Sequence, residues 1–173
     1  TLMAQRFDLE AEELAGQPFP LAENVLVVPG AAAAAFSVSD EGSLVYLRGS
    51  IDDAMQLRWL DRNGQDQGVV GDEAIYDSVL LSPDNRRAIL TIIDPQAGTT
   101  DLWILDLERN LRTRLTTHAS DDAAAVWHPD GRTVYFASDR KQHYAIYRKA
   151  VGSTRAPELV HFSDQATLPS SFT

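Results

Sequence analysis

The sequence predicts an all-β protein assembled from repeated units of four short antiparallel strands. The first observation behind this prediction is that four apolar residues recur in similar surroundings at separations of 45, 46 and 45 residues: Phe36, Leu81, Trp127 and Phe172. The second is that two of them precede nearly identical turns, SPDNR at 82–86 and HPDGR at 128–132. A period of this length indicates small units that bury their apolar faces only against one another.

The second unit shows the four strands most clearly. Pro83 sets φ for the first corner of a tight turn and Asp84 tolerates the second corner. Short apolar or β-branched runs surround this turn and are separated by further turn residues, which favours antiparallel β structure. The predicted strands are 77–82, 88–93, 101–106 and 112–116.

The third unit repeats this order around a turn formed by Pro129, Asp130 and Gly131. Its predicted strands are 124–127, 133–138, 145–149 and 158–160. The first unit has a looser turn without Pro, and its predicted strands are 33–37, 44–47, 56–60 and 67–70. The opening residues supply the third and fourth strands of a preceding unit, at 2–7 and 18–22.

Units of 40–50 residues with four strands each are typical of β-propeller blades, which close into rings of four to eight. A β-sandwich is the alternative interpretation, although a sandwich does not need so regular a period. We therefore expect part of a propeller, with three full blades and partial blades at both ends. The expected boundaries are 1–30 for the end of a preceding blade, 31–72, 75–117 and 122–161 for full blades, and 166–173 for the first strand of the next blade.

Composition excludes several classes of function. The net charge is −10 and no basic stripe is present, so nucleic-acid binding is not expected. No run of about 18 apolar residues occurs, so we expect no membrane insertion by this segment. The absence of cysteine excludes disulfides and thiolate metal sites.

Two features resemble the TolB-like, WD-like β-propeller repeat. One is the turn motif itself, in which an apolar residue precedes SPDNR or HPDGR, and the other is the strand DLWILDL at 101–107. Residues 6–8 (RFD) and 14–23 (LAGQPFPLAE) resemble segments of propellers attached to bacterial serine/threonine protein kinases. This resemblance implies a non-catalytic protein-interaction or ligand-sensing module on the extracytoplasmic side. It leaves two alternatives open, a gating propeller of a prolyl-oligopeptidase-like serine peptidase and a free TolB-like periplasmic binding protein.

A candidate binding surface follows from the order of the strands. Antiparallel strands place alternate loops at opposite ends of a blade, and the loops from strand 2 to 3 and from strand 4 to the next unit carry many acids but only Arg140 and Lys141 as bases. We call this surface the acidic rim. Its candidate partner-binding residues are Asp52, Asp53, Asp72, Glu73, Asp77, Asp121, Asp122 and Asp139.

The acidic rim favours a basic protein or peptide, or simply a solvated surface. A hard cation such as Ca²⁺ is a further interpretation, but no stretch has the spacing of a calcium loop, so no metal site and no cofactor is expected. Asp139 and Arg140 are expected to form a local ion pair, and His128 is expected to cap its turn. No nucleophile elbow, Walker loop or dinucleotide fingerprint occurs, so no catalytic residue is expected. Because the end blades have faces meant for a neighbour, we expect self-association.

Overall fold

The structure is a computed structural model that describes residues 1–25, 27–28, 33–39, 41–47 and 54–170. The described chain is built from antiparallel strands. It begins with a hairpin of β1 (Leu2–Asp8) and β2 (Glu13–Ala22), followed by a short ladder of β3 (Val27–Val28) and β4 (Ala33–Ala34). No α-helix of membrane-crossing length and apolarity occurs in this described part.

Three four-stranded blades follow the hairpin. Blade 1 consists of β5 (Phe36–Val38), β6 (Leu44–Tyr46), β7 (Met55–Leu60) and the first part of β8 (Asp66–Leu81). Blade 2 consists of the rest of β8, β9 (Arg87–Asp94), β10 (Thr99–Asp106) and β11 (Leu111–Arg114). Blade 3 consists of β12 (Asp122–Trp127), β13 (Thr133–Ser138), β14 (Ala145–Ala150) and β15 (Glu158–His161).

Blades 1 and 2 share β8, and this differs from the loop expected between residues 70 and 77. Ala74 of β8 still pairs with Met55 of blade 1, whereas Ile75 already pairs with Ile93 of blade 2. The segment has no Pro that would remove a ladder donor, and β8 stays extended while it changes partners. Gly71, with φ of +71°, allows the bend close to the side chain of Leu105.

The register of blade 1 also differs from the sequence alignment. Val38 pairs with Leu44 as Leu81 pairs with Ala88 and Trp127 with Val134, so the residue equivalent to Leu81 is Val38 and not Phe36. The turn explains the shift. The amide of Ser39 donates to the carbonyl of Ser43, four residues on, whereas that of Ser82 donates to Arg87, five residues on. Without Pro, the first turn is one residue shorter and starts two residues later than the pattern suggests.

Consecutive blades pack face to face. The core between blades 1 and 2 includes Val45, Leu57, Val79, Leu90 and Leu105. The core between blades 2 and 3 is formed by Ile89, Leu102, Ile104, Leu115, Trp127, Val134, Phe136, Ala145 and Tyr147. A smaller core of Ala22, Leu44, Tyr46 and Leu60 joins the hairpin to blade 1.

The C-terminal segment departs from its expected strand. Residues 166–170 form no strand, and Phe172 lies outside the described residues. The amide of Thr167 donates to the carbonyl of Tyr144 at 3.0 Å, which ties the segment to blade 3. The first strand of a blade pairs with the second strand of the same blade, and among the described residues no strand follows β15.

Candidate partner-binding rim

Four of the predicted acids come together around one tyrosine. Asp77 lies in the blade 2 part of β8, Asp121 directly precedes β12, Asp122 is its first residue, and Asp139 follows β13. Burial raises the pKa of the Tyr144 phenol, and the carboxylates of Asp121, Asp139, Asp77 and Asp122 raise it further. We call these four acids and Tyr144 the Tyr144 cluster.

Two of these carboxylates join the loops of blades 2 and 3. Asp121 Oδ1 accepts a hydrogen bond from the amide of Thr100 in blade 2, at 2.8 Å. Asp139 Oδ1 accepts one from the amide of Asp121, at 3.0 Å. Each carboxylate therefore uses one oxygen to hold a neighbouring loop, so the acids are fixed in place relative to the blades.

Asp122 is enclosed and cannot meet a partner directly, which corrects its assignment as a binding residue. Its side chain is 0% exposed, and Arg140 Nη2 donates to Oδ1 at 2.9 Å and to Oδ2 at 2.8 Å. Arg140 Nε donates to Ser138 Oγ, and its guanidinium lies 4.8 Å from the ring centroid of Tyr147. The expected pairing of Arg140 with Asp139 is replaced by this pairing with Asp122, because the register of β12 and β13 places Asp122 opposite Ser138.

The remaining acids of the rim lie apart or outside the described residues. Asp77 is half-buried, and burial raises the pKa of its carboxyl group. Asp72 and Glu73 are exposed on β8, and Asp72 lies 3.9 Å from Arg112 Nη2 of blade 2. Asp52 and Asp53 lie outside the described residues. The predicted rim therefore divides into the Tyr144 cluster and a separate acidic pair on β8.

The turns at the opposite end of the blades are organised by their Asp residues. Asp84 Oδ1 accepts hydrogen bonds from the Ser82 hydroxyl and the Arg86 amide, and these, with the Ser82 hydroxyl foremost, lower the pKa of Asp84. Asp130 Oδ1 accepts from the amides of Arg132 and Thr133. The Arg132 hydrogen bond is the main cause that lowers the pKa of Asp130 to about 2.

The first residues of these turns act as caps, and the turns of blades 2 and 3 are linked. His128 Nδ1 accepts a hydrogen bond from the amide of Asp130, as Ser82 Oγ accepts one from the amide of Arg87. Pro83 and Pro129 occupy the first corners, and Gly131 takes φ of +63°. Arg87 Nη2 donates to the carbonyl of Gly131 at 2.6 Å, so one side chain joins the two turns.

Tyr144 is not among the residues that the sequence predicts for the rim. It stands in blade 3 where blade 2 has Thr100, two residues before the matching positions Ile146 and Leu102. The sequence does contain a signal for this residue, because an aromatic side chain stands just before the third strand of blade 3 where blade 2 has Thr. Among the residues that the structure describes, no three His, Asp or Glu side chains group as ligands for a metal ion.

Three consecutive four-stranded antiparallel blades define the chain as part of a β-propeller. Among solved structures it is similar to a TolB of Agrobacterium tumefaciens, with a TM-score of 0.64 and 20% identity over 78% of this chain and 48% of that one. It is also similar to TolB of Acinetobacter baumannii, with a TM-score of 0.65 and 17% identity over 94% of this chain and 38% of that one.

A third similar structure is the β-propeller domain of the Trilobed protease of Pyrococcus furiosus, with a TM-score of 0.55 and 12% identity over 73% of this chain and 40% of that domain. This chain spans less than half the length of each of the three. No protein-family model matches the sequence. At these identities the similarity establishes the fold.

Proposed function

We propose that this segment is a non-catalytic recognition module that binds a basic protein or peptide segment at the acidic rim. The observation that carries the proposal is the Tyr144 cluster, where acids from blades 2 and 3 converge at one end of the blades. Arg140 belongs to the same end but is already paired with Asp122. Of the two bases of the acidic rim, this leaves only Lys141 to offset the negative charge of Asp77, Asp121 and Asp139.

Preorganisation supports the same proposal. Asp121 and Asp139 are held by hydrogen bonds to backbone amides, so a partner would not have to order them. The phenol of Tyr144 adds an aromatic surface on which an Arg or Lys side chain could lie. Complementary charge of this kind mainly speeds association and selects partners, and it weakens with salt.

The test uses a fluorescently labelled poly-arginine peptide as the probe. We expect the Asp77→Asn, Asp139→Asn double variant to bind it more weakly, by roughly twofold to fivefold for each charge removed. Asn keeps an oxygen that can accept the Asp121 amide, so the loops should stay in place. The matched control is Asp61→Asn, Asp106→Asn, which removes two capping acids of the strand 3 to 4 loops at the opposite end of the blades.

If the probe binds specifically at the acidic rim, the control variant should bind it as tightly as the wild type does. Equal weakening in both double variants would mean that only net charge matters, and the proposal for this rim would be wrong. Titration at low and high salt gives a second reading, because binding through the rim should weaken as ionic strength rises.

For the parent protein, we propose a bacterial serine/threonine kinase that carries this propeller as its extracytoplasmic sensor. The support is the resemblance of residues 6–8 and 14–23, which form most of the β1–β2 hairpin. Sequencing the parent gene on both sides of this segment tests it. A kinase catalytic loop and a membrane helix upstream would support the sensor, whereas a gene without them would exclude it.

The propeller of a serine peptidase is the second candidate, and the similarity to the Trilobed protease propeller and to tricorn protease favours it. There the catalytic residues would lie on a separate hydrolase domain, and a nucleophile elbow downstream of this segment would identify it. A free periplasmic binding protein of the TolB kind is the third candidate. Only a signal peptide would then accompany the propeller.

A further inference from the structure

A cleft of about 320 Å³ lies between blades 2 and 3. Thr117 and His118 line it from the connection between β11 and β12, and Lys149 lines it from β14. Lys149 pairs with Val134, a residue of the core between blades 2 and 3, so the Lys149 side chain lies on the side of blade 3 that faces blade 2. The cleft is therefore formed by two blades whose four strands are all described.

The lining of this cleft is basic, unlike the chain as a whole, and we call it the basic cleft. The described residues that line it include no Asp or Glu, whereas the chain has 25 acidic residues against 15 Lys and Arg. The side chains that matter for binding are Thr117, His118, Arg140, Lys149, Thr154 and Arg155. The basic cleft therefore attracts the opposite charge from the acidic rim.

Three acids lie beside lining residues, and each already has a guanidinium partner. The pairs are Asp122 with Arg140, Asp101 with Arg114 and Glu158 with Arg148. Asp139 precedes Arg140 in the chain, but its carboxylate holds an amide within the Tyr144 cluster. The side chains of Lys149 and Arg155, by contrast, have no hydrogen bond or ion pair among the described residues. The basic cleft therefore keeps two positive charges that have no ion-pair partner.

Several donors of the basic cleft are also unused. His118 Nδ1 accepts the amide of Ser120 at 3.1 Å, so in the neutral ring Nε2 carries the proton and is the donor that His118 can offer. Arg140 is only 13% exposed and is fixed through Nε and Nη2, while its Nη1 donates to no described residue. The hydroxyls of Thr117 and Thr154 make no hydrogen bond within the described part of the chain.

We propose that the basic cleft binds a phosphate group, a function separate from that of the acidic rim. A phosphate monoester carries close to two negative charges at neutral pH and has three strong acceptor oxygens. Lys149 and Arg155 match that charge. The N–H donors of His118 and Arg140 and the Thr hydroxyls match the oxygens. A carboxylate, with one charge, would leave one of the two cations without a partner.

The size of the basic cleft leaves room for more than the phosphate itself. About 320 Å³ lies at the lower end of the range for small-molecule sites, so the group to which the phosphate is attached also fits. The phosphate group would therefore come either from the free ion or from a phosphorylated side chain of a partner. The experiment below distinguishes these two sources.

The test is isothermal titration calorimetry at constant ionic strength and about pH 7.5, where the phosphate is mostly dianionic. The probes are inorganic phosphate and a short neutral peptide with one phosphoserine. We expect Lys149→Gln with Arg155→Gln to weaken binding of both probes at least about tenfold. The matched control is Arg6→Gln with Arg86→Gln, which removes two exposed bases without side-chain partners in the described chain and should bind like the wild type.

A second variant separates this cleft from a neighbouring one. Lys149 and Arg155 also line a cleft on the other face of blade 3, whereas His118 lines only the basic cleft. His118→Asp keeps an acceptor for the Ser120 amide but places an acid beside the phosphate. It should weaken binding at least about tenfold, and unchanged binding would overturn the proposal. Circular dichroism checks that each variant is folded.

The remaining outcomes decide the ligand. Tighter binding of the phosphopeptide than of the ion would support the site with a phosphorylated partner as the source, and equal or weaker binding would support it with the free ion. The same peptide with Glu in place of phosphoserine should bind at least about tenfold more weakly than the phosphopeptide or the ion, whichever binds. Equal binding of this Glu peptide, equal loss in the control variant, or no saturation by either probe up to about 10 mM would each overturn the proposal. None of these results affects the acidic rim, which is tested with a poly-arginine probe and other residues.

Discussion

Blades 2 and 3 meet through a core of nine buried residues, whereas the β1–β2 hairpin and blade 1 meet through a core of four. The first two strands of the blades differ in length in the same direction, since β12 and β13 of blade 3 have six residues each and β5 and β6 of blade 1 have three each. The turns of blades 2 and 3 are also joined by Arg87. The hairpin end is therefore the less firmly packed edge of the molecule, because its core is the smaller one and no comparable link joins it to blade 1 among the described residues.

The largest expected effect is a difference in the free energy of unfolding between substitutions in these two cores. Phe136→Ala removes a fully buried ring between blades 2 and 3, and should lower the free energy of unfolding by about 3–5 kcal/mol. Leu44→Ala in the hairpin core should cost about 2 kcal/mol, the low end for such changes, because few groups surround it. Urea denaturation measures both. An equal or larger loss for Leu44→Ala would contradict the comparison.

Buried and exposed ion pairs provide the next test. Arg140→Met leaves the fully buried Asp122 carboxylate without its partner, and should cost about 3 kcal/mol. Arg148→Met removes the partner of the exposed Glu158, and should cost less than about 1 kcal/mol. Thermal unfolding of the two variants at equal salt measures the difference. Similar losses would mean that Asp122 is not enclosed as described.

The two Pro-Asp turns can be compared at the residue that takes positive φ. Gly131 has φ of +63° and Asn85 has φ of +55°, and each amide donates to the first residue of its turn. Gly131→Ala should cost about 1 kcal/mol, since an L side chain is disfavoured there. Asn85→Gly should gain roughly 0.5 kcal/mol. Denaturant midpoints check both, and stabilisation by Gly131→Ala would exclude the described turn.

The smallest effect concerns pH. The pKa of Asp130 is about 2 in the folded protein, below its ordinary value, so its stabilisation is present above about pH 4. That stabilisation is lost as the pH falls from about 4 to about 2. Asp130→Asn should therefore show a shallower fall of Tm across this window than the wild type. The effect should be modest because the group is exposed, and parallel curves would contradict the role of Asp130 as a charged cap.

The sequence allowed blades 2 and 3 to be predicted strand by strand, because Pro83 and Pro129 mark the same point of each unit. The turn of blade 1 has no Pro, so the sequence pattern aligns Phe36 with Leu81, although the equivalent residue in the structure is Val38, two residues later. The pairing of Arg140 with Asp122 depends on strand register across 18 residues, which composition and spacing do not reveal. The gathering of acids around Tyr144 depends in the same way on the packing of one blade against the next.

Native-state hydrogen exchange on the chain at low concentration can decide whether the packing of blade 2 against blades 1 and 3 holds the molecule together. The amides of β9, β10 and β13 should exchange slowest, at rates set by global unfolding. Those of β1, β2 and β5 should exchange faster, through local opening. Protection of the β1–β2 hairpin equal to that of β9 and β13 would show instead that the whole molecule opens as one unit.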